Sequence, residues 1–117
     1  MQAHELSDIM QQRQATGQPW LEFLRVPALS MGLYVLAAGA TDEQQPHTED
    51  EIYYVTSGRG FIQVAGEDRA VSAGSLIYVA ANVKHHFHTI SAELAVLVFF
   101  APAEYTNDER PTTTDKP

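Results

Sequence analysis

Histidine and carboxylate residues are concentrated in two short segments of the chain. Four of the five histidines are His47 and the group of His85, His86 and His88, and five of the fifteen acidic residues fall within positions 42–51. Imidazole and carboxylate are ligands that divalent transition metals accept in proteins. Because the chain contains no cysteine, a thiolate site is excluded. The sequence therefore predicts a metal site with nitrogen and oxygen ligands.

The first segment brings several of these side chains to one face if it is extended. Side chains two residues apart in a strand point the same way, so Gln45 can lie beside His47, and Tyr53 shares the face of Glu51. Tyr54 falls on the opposite face. His47 and Glu51 are therefore candidate ligands, with Gln45 as either a ligand or a pocket-lining amide, and Tyr53 is expected to line a pocket.

The second segment divides its side chains in the same manner. His85, Phe87 and Thr89 are expected on one face, and His86 and His88 on the other. This makes His85 the third candidate ligand and Phe87 a second pocket wall. His86 and His88 are expected at the surface or at an interface, although a strand bulge would exchange the two faces and make them the ligands.

The acidic residues outside the candidate ligand set have a simpler interpretation. They are expected to form a solvated loop whose charge draws cations toward the site. These residues are Asp42, Glu43, Glu49 and Asp50.

The elements that must position these residues are mostly strands. Runs rich in β-branched and aromatic residues are separated by turn signals, which predicts eight short strands and an all-β, closed or sandwiched antiparallel fold. The predicted strands are 20–26, 31–37, 52–56, 60–64, 69–72, 76–79, 85–90 and 94–100. The last of these is apolar at nearly every position, as in a strand that is covered on both faces.

One short helix is predicted ahead of the strands, over residues 6–15. Ser7 can cap its first turn, and Gly17 and Pro19 end it. The residues that share one of its faces are Leu6, Ile9, Met10 and Arg13. We expect three parts in the chain: a helical segment at 1–19, a barrel at 20–104 and a mobile tail at 105–117.

Composition excludes several classes of partner. The chain has 117 residues, enough for one domain, with fifteen acidic against seven basic residues and a formal charge of −8. Such a surface repels nucleic acid and anionic membranes. No stretch resembles a signal peptide or a membrane span, so a cytoplasmic protein is expected.

Residues 39–60 resemble the first motif of the cupin superfamily, G-x5-H-x-H-x3-E-x6-G. Gly39, His47, Glu51 and Gly58 stand at matching positions, and Gln45 occupies the place of the first histidine.

Residues 74–89 resemble the second cupin motif, G-x5-P-x-G-x2-H-x3-N. Gly74 and His85 match, whereas Ala80, Asn82 and Thr89 replace the proline, the second glycine and the asparagine.

The resemblance implies a double-stranded β-helix, the cupin or jelly-roll barrel, with a metal held by His47, Glu51 and His85 and with Gln45 at the fourth ligand position. Two histidines and one carboxylate suit a divalent transition metal, which can be Fe, Mn, Ni, Zn or Cu. Proteins similar to this one are commonly homodimers, and the open sheet edge and the apolar early strands also favour a homodimer.

Three functions remain open at this point, because one fold supports many chemistries. The first is a metal-dependent enzyme acting on a small oxygen-bearing organic molecule, of the dioxygenase, isomerase or lyase type. The second is a non-catalytic cupin that binds a small molecule as a sensor or carrier. The third is a purely structural protein, which the retained ligand spacing argues against.

Overall fold

The structure, a computed structural model, describes residues 1–43 and 46–106. Within these ranges one helix precedes six strands, and every strand pairing is antiparallel. The elements are α1 (Leu6–Thr16), β1 (Trp20–Val26), β2 (Leu29–Leu36), β3 (Asp50–Val64), β4 (Glu67–Ser72), β5 (Leu76–Val79) and β6 (His85–Ala101). The sheet order is β1-β2-β6-β3-β4, with β5 paired to β3. The predicted all-β fold with a short N-terminal helix is confirmed.

Two strands are much longer than the sequence predicts. The predicted strands 52–56 and 60–64 form one continuous strand, β3, and the predicted strands 85–90 and 94–100 form β6. The turn predicted at Ser57 and Gly58 does not form. Instead β3 continues through these residues, and its pairing with β6 is irregular there. Glycine within a strand commonly marks such a bulge. The prediction of eight separate strands was therefore wrong in number, although each predicted strand overlaps an observed one.

A bulge in β6 lies just after the histidine group. Phe61 pairs with His88 and Arg59 pairs with Ala92, so β6 advances four residues while β3 advances two. Thr89 sits in this bulge with a φ of 51°. It is exposed rather than on the face of Phe87, so the prediction for Thr89 was wrong.

Strand alternation builds the barrel interior. In β3, Glu51, Tyr53 and Val55 are buried, and Ile52 and Tyr54 are exposed, as the sequence predicts. The inward side chains of five strands form one apolar core around this row. Its buried members are Tyr34, Leu36, Tyr53, Val55, Ile62, Val71, Val79, Phe87, Ile90, Leu94, Val96, Val98 and Phe100.

The helix covers part of the outer face of the sheet. Ile9 is buried against Leu33, Val35 and Ala95. Of the predicted apolar face only Ile9 is buried, since Leu6 and Met10 are each more than a third exposed.

The helix begins differently from the prediction. Glu5 is the N-cap residue and makes no side-chain capping bond, so the assignment of Ser7 as the cap was wrong. The C-cap is Gly17, in a left-handed conformation. No helix in the described part of the chain has the length and apolar character of a membrane span. Of the predicted tail, residues from 107 onward lie outside the described residues, and Tyr105 is buried.

Candidate metal centre

The three candidate ligands come from two neighbouring loops and the strands that follow them. His47 lies in the loop before β3, Glu51 is the second residue of β3, and His85 is the first residue of β6. The backbone N–H of Asn82 donates to the carbonyl of His47 at 2.6 Å, and the backbone N–H of Ala81 donates to the Asp50 carboxylate at 2.9 Å. These bonds tie the two motif segments together, so the loops present their side chains to the same space.

The side chains of His47, Glu51 and His85 converge inside the barrel. Each offers one ligand atom, and these atoms all lie within 4.8 Å of one another. His85 Nε2 lies 3.0 Å from Glu51 Oε1, and His47 Nδ1 lies 3.7 Å from the same oxygen. The three residues are 1–3% exposed. The structure thus brings together the ligand set that the sequence predicts from positions 47, 51 and 85.

Glu51 is a buried carboxylate with few compensating contacts. Among residues 1–43 and 46–106, no backbone N–H or hydroxyl group donates to either of its carboxylate oxygens, and Oε1 faces only the imidazoles of His47 and His85. Burying an ionised carboxylate is costly unless a cation or hydrogen-bond donors balance it. A divalent cation between Glu51 and the two imidazoles would provide that balance, so the residues present fit a metal ion.

The tautomer of His85 is fixed by its backbone partner. Nδ1 lies 2.8 Å from the carbonyl oxygen of Val83, and because a carbonyl only accepts, Nδ1 must carry the proton. When the ring is neutral, Nε2 therefore presents its lone pair to Glu51. Burial by itself lowers the pKa of His85, but the adjacent Glu51 carboxylate outweighs it and raises that pKa above its ordinary value.

Aromatic side chains surround the cluster. Tyr53 and Phe87 are at most 1% exposed and pack edge to face with ring centroids 4.9 Å apart. The Tyr53 ring is also 5.9 Å from that of His85, and the Phe100 ring is 5.0 Å from that of His47. The structure thus places Tyr53 and Phe87 beside the cluster, where the sequence places a pocket wall.

Asp42 is buried rather than part of a solvated loop. It is 6% exposed and accepts hydrogen bonds from the Tyr34 hydroxyl at 2.5 Å and the Phe87 backbone N–H at 2.8 Å. Burial, together with the Asp42 charge, raises the pKa of Tyr34 well above its ordinary value, so the hydroxyl remains a donor. Asp42 thereby fixes the start of β6, next to His85.

Glu49 is also buried, at 2% exposure. Its carboxylate accepts hydrogen bonds from the Thr48 hydroxyl and from the backbone N–H of Tyr105, the latter at 3.0 Å. The expectation of a solvated loop was wrong for Asp42 and Glu49, because each accepts a hydrogen bond from a backbone N–H far along the chain, that of Phe87 or that of Tyr105. Glu43 and Asp50 are exposed, as expected.

Glu104 is the site residue that the sequence analysis missed. It is 2% exposed, and its Oε2 lies 3.1 Å from His47 Nε2. Burial raises the pKa of Glu104, although the contact with His47 opposes the rise. No local signal marks this residue, since it follows the end of β6 far along the chain from His47.

The two reserve ligands of the second segment, His86 and His88, fall outside the cluster. His86 and His88 lie on the outer face, where His88 Nε2 is 2.7 Å from Asp68 Oδ1 and the two histidine rings are neighbours. The bulge at Thr89 comes after them and leaves the alternation of positions 85–88 undisturbed. Gln45, at the fourth ligand position of the motif, lies outside the described residues.

The fold and the convergent site define a small cupin. The sequence model of the Cupin domain family matches residues 32–101, and the chain belongs to this family. It is also similar to an uncharacterised protein of Streptomyces coelicolor, with 48% identity over 104 residues that cover 89% of this chain and 99% of that protein. The cupin barrel and the family membership expected from the two motifs are therefore confirmed.

Solved structures share the fold at low sequence identity. KdgF from a Halomonas species superposes with a TM-score of 0.66 at 23% identity, covering 71% of this chain and 76% of that one. The DMSP lyase DddQ from Ruegeria pomeroyi gives 0.64 at 18%, covering 74% and 42%. A salicylate 1,2-dioxygenase from Pseudoaminobacter salicylatoxidans gives 0.66 at 17%, covering 82% and 30%. At these identities the likeness shows the double-stranded β-helix and no activity.

Proposed function

We propose that this protein binds one divalent transition-metal ion through His47, Glu51 and His85 and acts on a small oxygen-bearing organic molecule. The observation that carries the proposal is the buried Glu51 carboxylate, which faces two imidazole nitrogens and receives no hydrogen bond from a backbone N–H or hydroxyl group of the described residues. Two imidazoles and one carboxylate leave coordination positions open for a substrate atom.

The charge of the barrel interior supports a cation. Four buried carboxylates and two buried imidazoles belong to this region. Two of these carboxylates are satisfied by backbone N–H or hydroxyl donors, namely Asp42 and Glu49. Glu51 and Glu104 instead face histidine nitrogens, so the excess negative charge lies where the ligand atoms converge.

The protein's own residues supply position and a dry environment. The loop bonds between the two motif segments hold His47 and His85 within 3.7 Å of Glu51 Oε1. The buried rings of Tyr53 and Phe87 exclude water beside His85. A divalent ion held there acts as a Lewis acid on a carbonyl or carboxylate oxygen. Two structural neighbours are named as a lyase and a dioxygenase, which supports this class of chemistry.

Metal content with a ligand variant tests the proposal. We expect wild-type protein loaded with Zn(II), Mn(II), Ni(II) or Fe(II) to retain about one ion per chain after gel filtration, and Glu51→Ala to retain almost none. Glu93→Ala, which removes an exposed carboxylate of β6, is the matched control and should retain the wild-type amount. Circular dichroism confirms that each variant is folded.

Thermal denaturation is the measurement that can contradict the proposed metal site. An ion present at about 100 times its Kd stabilises the folded protein by about 2.7 kcal/mol. If none of the four ions raises the Tm of the wild type, or if Glu51→Ala retains as much metal as Glu93→Ala, the proposed metal site is wrong.

Measuring turnover distinguishes a metal-dependent enzyme from a sensor or carrier. A metal-loaded enzyme consumes its substrate, or dioxygen with it, at a rate that Glu51→Ala abolishes. A metal-loaded protein that binds oxygen-bearing ligands and leaves every one of them unchanged would establish the non-catalytic cupin instead.

A further inference from the structure

A cleft of about 350 Å³ is lined by residues of β3, β4 and β5. Both β4 and β5 lie along the edge of β3 opposite β6, β4 beside residues 59–64 and β5 beside residues 51–54. The floor of the cleft consists of Ile62, Val64 and Ile77, which belong to or pack against the apolar core. A cavity of this size with an apolar floor and few polar groups is the usual form of a small-molecule site.

The floor of the cleft adjoins the candidate metal centre. Directly paired residues of neighbouring strands lie side by side on one face of a sheet. Each of the three floor residues is paired in this way with a residue of the centre or of its aromatic wall. The pairs are Val64 with His85, Ile62 with Phe87, and Ile77 with Tyr53. A molecule on this floor therefore lies about 4.8 Å, one strand spacing, from the wall of the centre.

Arg69 is a charged residue on the inner face of β4. It pairs with the buried Ile62, and Val71, two residues further along the same face, is also buried, whereas Arg69 is exposed and lines the cleft. Among residues 1–43 and 46–106, no group forms an ion pair or a hydrogen bond with its guanidinium. The guanidinium groups of Arg13 and Arg25, in contrast, both donate hydrogen bonds. Arg69 therefore has donors to offer a molecule in the cleft.

We propose that the cleft binds a small organic acid whose carboxylate pairs with Arg69 and whose apolar body lies on the floor of the cleft, and that such acids are the substrate class of the candidate metal centre. A guanidinium group matches a carboxylate through two parallel hydrogen bonds. Glu67 lines the cleft on the same face as Arg69, and its negative charge disfavours a second acidic group beside the first. The ligand expected is therefore a monocarboxylate.

The strand register gives the direction of the bound acid. Arg69, Ile62 and Phe87 lie in one row across β4, β3 and β6, so the Arg69 backbone is two strand spacings, about 10 Å, from that of Phe87. An acid held at Arg69 therefore directs its opposite end toward the metal centre. The substrate assignment rests on the proposed function, whereas the binding of a carboxylate in the cleft does not.

Benzoate is the probe for the cleft, and the metal-free full-length protein is titrated with it by calorimetry and by NMR of the backbone amides. We expect binding of one benzoate per chain, with the largest shifts at Val64, Arg69 and Ile77. Benzamide has the same shape without the charge. It should bind about 10-fold more weakly, because it cannot form the charge-assisted pair.

Variants of Arg69 test the anchor. We expect Arg69→Gln to raise the Kd for benzoate about 10-fold and to leave the Kd for benzamide unchanged. Arg69→Lys should fall between wild type and Arg69→Gln, because an ammonium group keeps the charge without the paired donors. Arg59→Gln removes an exposed arginine of β3 that does not line the cleft, and it should bind benzoate as the wild type does. Circular dichroism confirms that each variant is folded.

Manganese-loaded protein tests the direction of the bound acid. With its carboxylate at Arg69, benzoate places its para proton nearer to the metal centre than its ortho protons. We therefore expect Mn(II) to relax the para proton more strongly, and we expect this effect to be absent with Glu51→Ala. The reverse order, or benzoate binding that requires a metal, would place the carboxylate on the metal and overturn the substrate assignment.

Three results would overturn the carboxylate site itself. They are no binding of benzoate to the metal-free protein, equal affinity for benzoate and benzamide, and equal affinity of wild type and Arg69→Gln for benzoate. A wild type that binds benzoate through Arg69 but binds no metal defeats the proposed function alone, because the metal-free titration still reports the cleft.

Discussion

His85 Nε2 lies 3.0 Å from Glu51 Oε1, while the other nitrogen of the same ring is held 2.8 Å from the Val83 carbonyl. The backbone bond keeps the ring from turning away, so a single atom of His85 faces the carboxylate. A proton and a metal ion compete for that atom, which makes the pair sensitive to pH in the metal-free protein and links metal binding to proton release.

The pH dependence of stability in the metal-free protein follows from the raised pKa of His85. Its contribution to stability is fully present below the unfolded-state pKa of about 6.5 and is lost as pH rises through the higher folded-state pKa. We expect the difference in free energy of unfolding between wild type and His85→Asn to shrink over that interval, as measured by urea denaturation at a series of pH values. In the Glu51→Gln background the contacts that outweigh burial are lost, so the difference should no longer shrink as pH rises, and an unchanged slope there would contradict the pairing.

Thr89 is strained in the bulge of β6. It is a β-branched residue with a φ of 51°, and L-residues lose about 1–2 kcal/mol in the left-handed region, which asparagine tolerates better. We expect Thr89→Asn to increase the free energy of unfolding by about 1 kcal/mol, as measured by chemical denaturation. Ser91→Asn, at an exposed position of the same strand without a positive φ, is the control. A gain as large in the control would show that relief of strain is not the cause.

Gly58 is required by both its conformation and its neighbours. Its φ is +98°, and an added Cβ would lie 2.1 Å from the Glu93 carbonyl oxygen. Adding the left-handed cost to the cost of overpacking, we expect Gly58→Ala to destabilise the protein by about 2–5 kcal/mol. Gly17→Ala separates the two effects, because Gly17 has a φ of +69° with nothing near the added carbon. It should lose only about 1–2 kcal/mol, and equal losses in the two variants would argue against the clash.

The homodimer expected from the sequence remains a prediction. Ile52 and Tyr54 of β3 pair with Tyr78 and Leu76 of β5, and all four are at least 38% exposed. Such an apolar strip on one outer face is typical of an interaction surface. Light scattering should give twice the chain mass for the wild type and the single-chain mass for Leu76→Lys. A monomeric wild type, or a dimer unaffected by Leu76→Lys, would contradict an interface at this strip.

Local sequence pattern predicts the strands well because alternation and turn residues act over a few positions. It places Glu51 and Tyr53 on the inner face and identifies His85 and Phe87 as the inward members of their segment. Local pattern fails at Ser57–Gly58, where it predicts a turn, and at Thr89, where it predicts a regular strand. Both places are irregularities in the pairing of β3 with β6. The conformation at both places depends on the pairing of β3 with β6, which no local pattern contains.

The burial of the acidic residues depends on contacts that are distant in sequence. Asp42 accepts hydrogen bonds from the Tyr34 hydroxyl and the Phe87 backbone N–H. Glu104, which follows the end of β6, contacts His47. A carboxylate in a polar stretch has the same local pattern whether it is solvated or serves a buried donor. The sequence therefore predicts the three convergent candidate ligands and misses the buried carboxylates beside them.

An anomalous-scattering map from crystals grown with Mn(II) or Zn(II) tests the central claim most directly. We predict a peak in the interior of the barrel, within bonding distance of His47, Glu51 and His85, that disappears in crystals of Glu51→Ala. A map with no peak there, or with a peak only at surface sites such as His88 and Asp68, would contradict the metal centre.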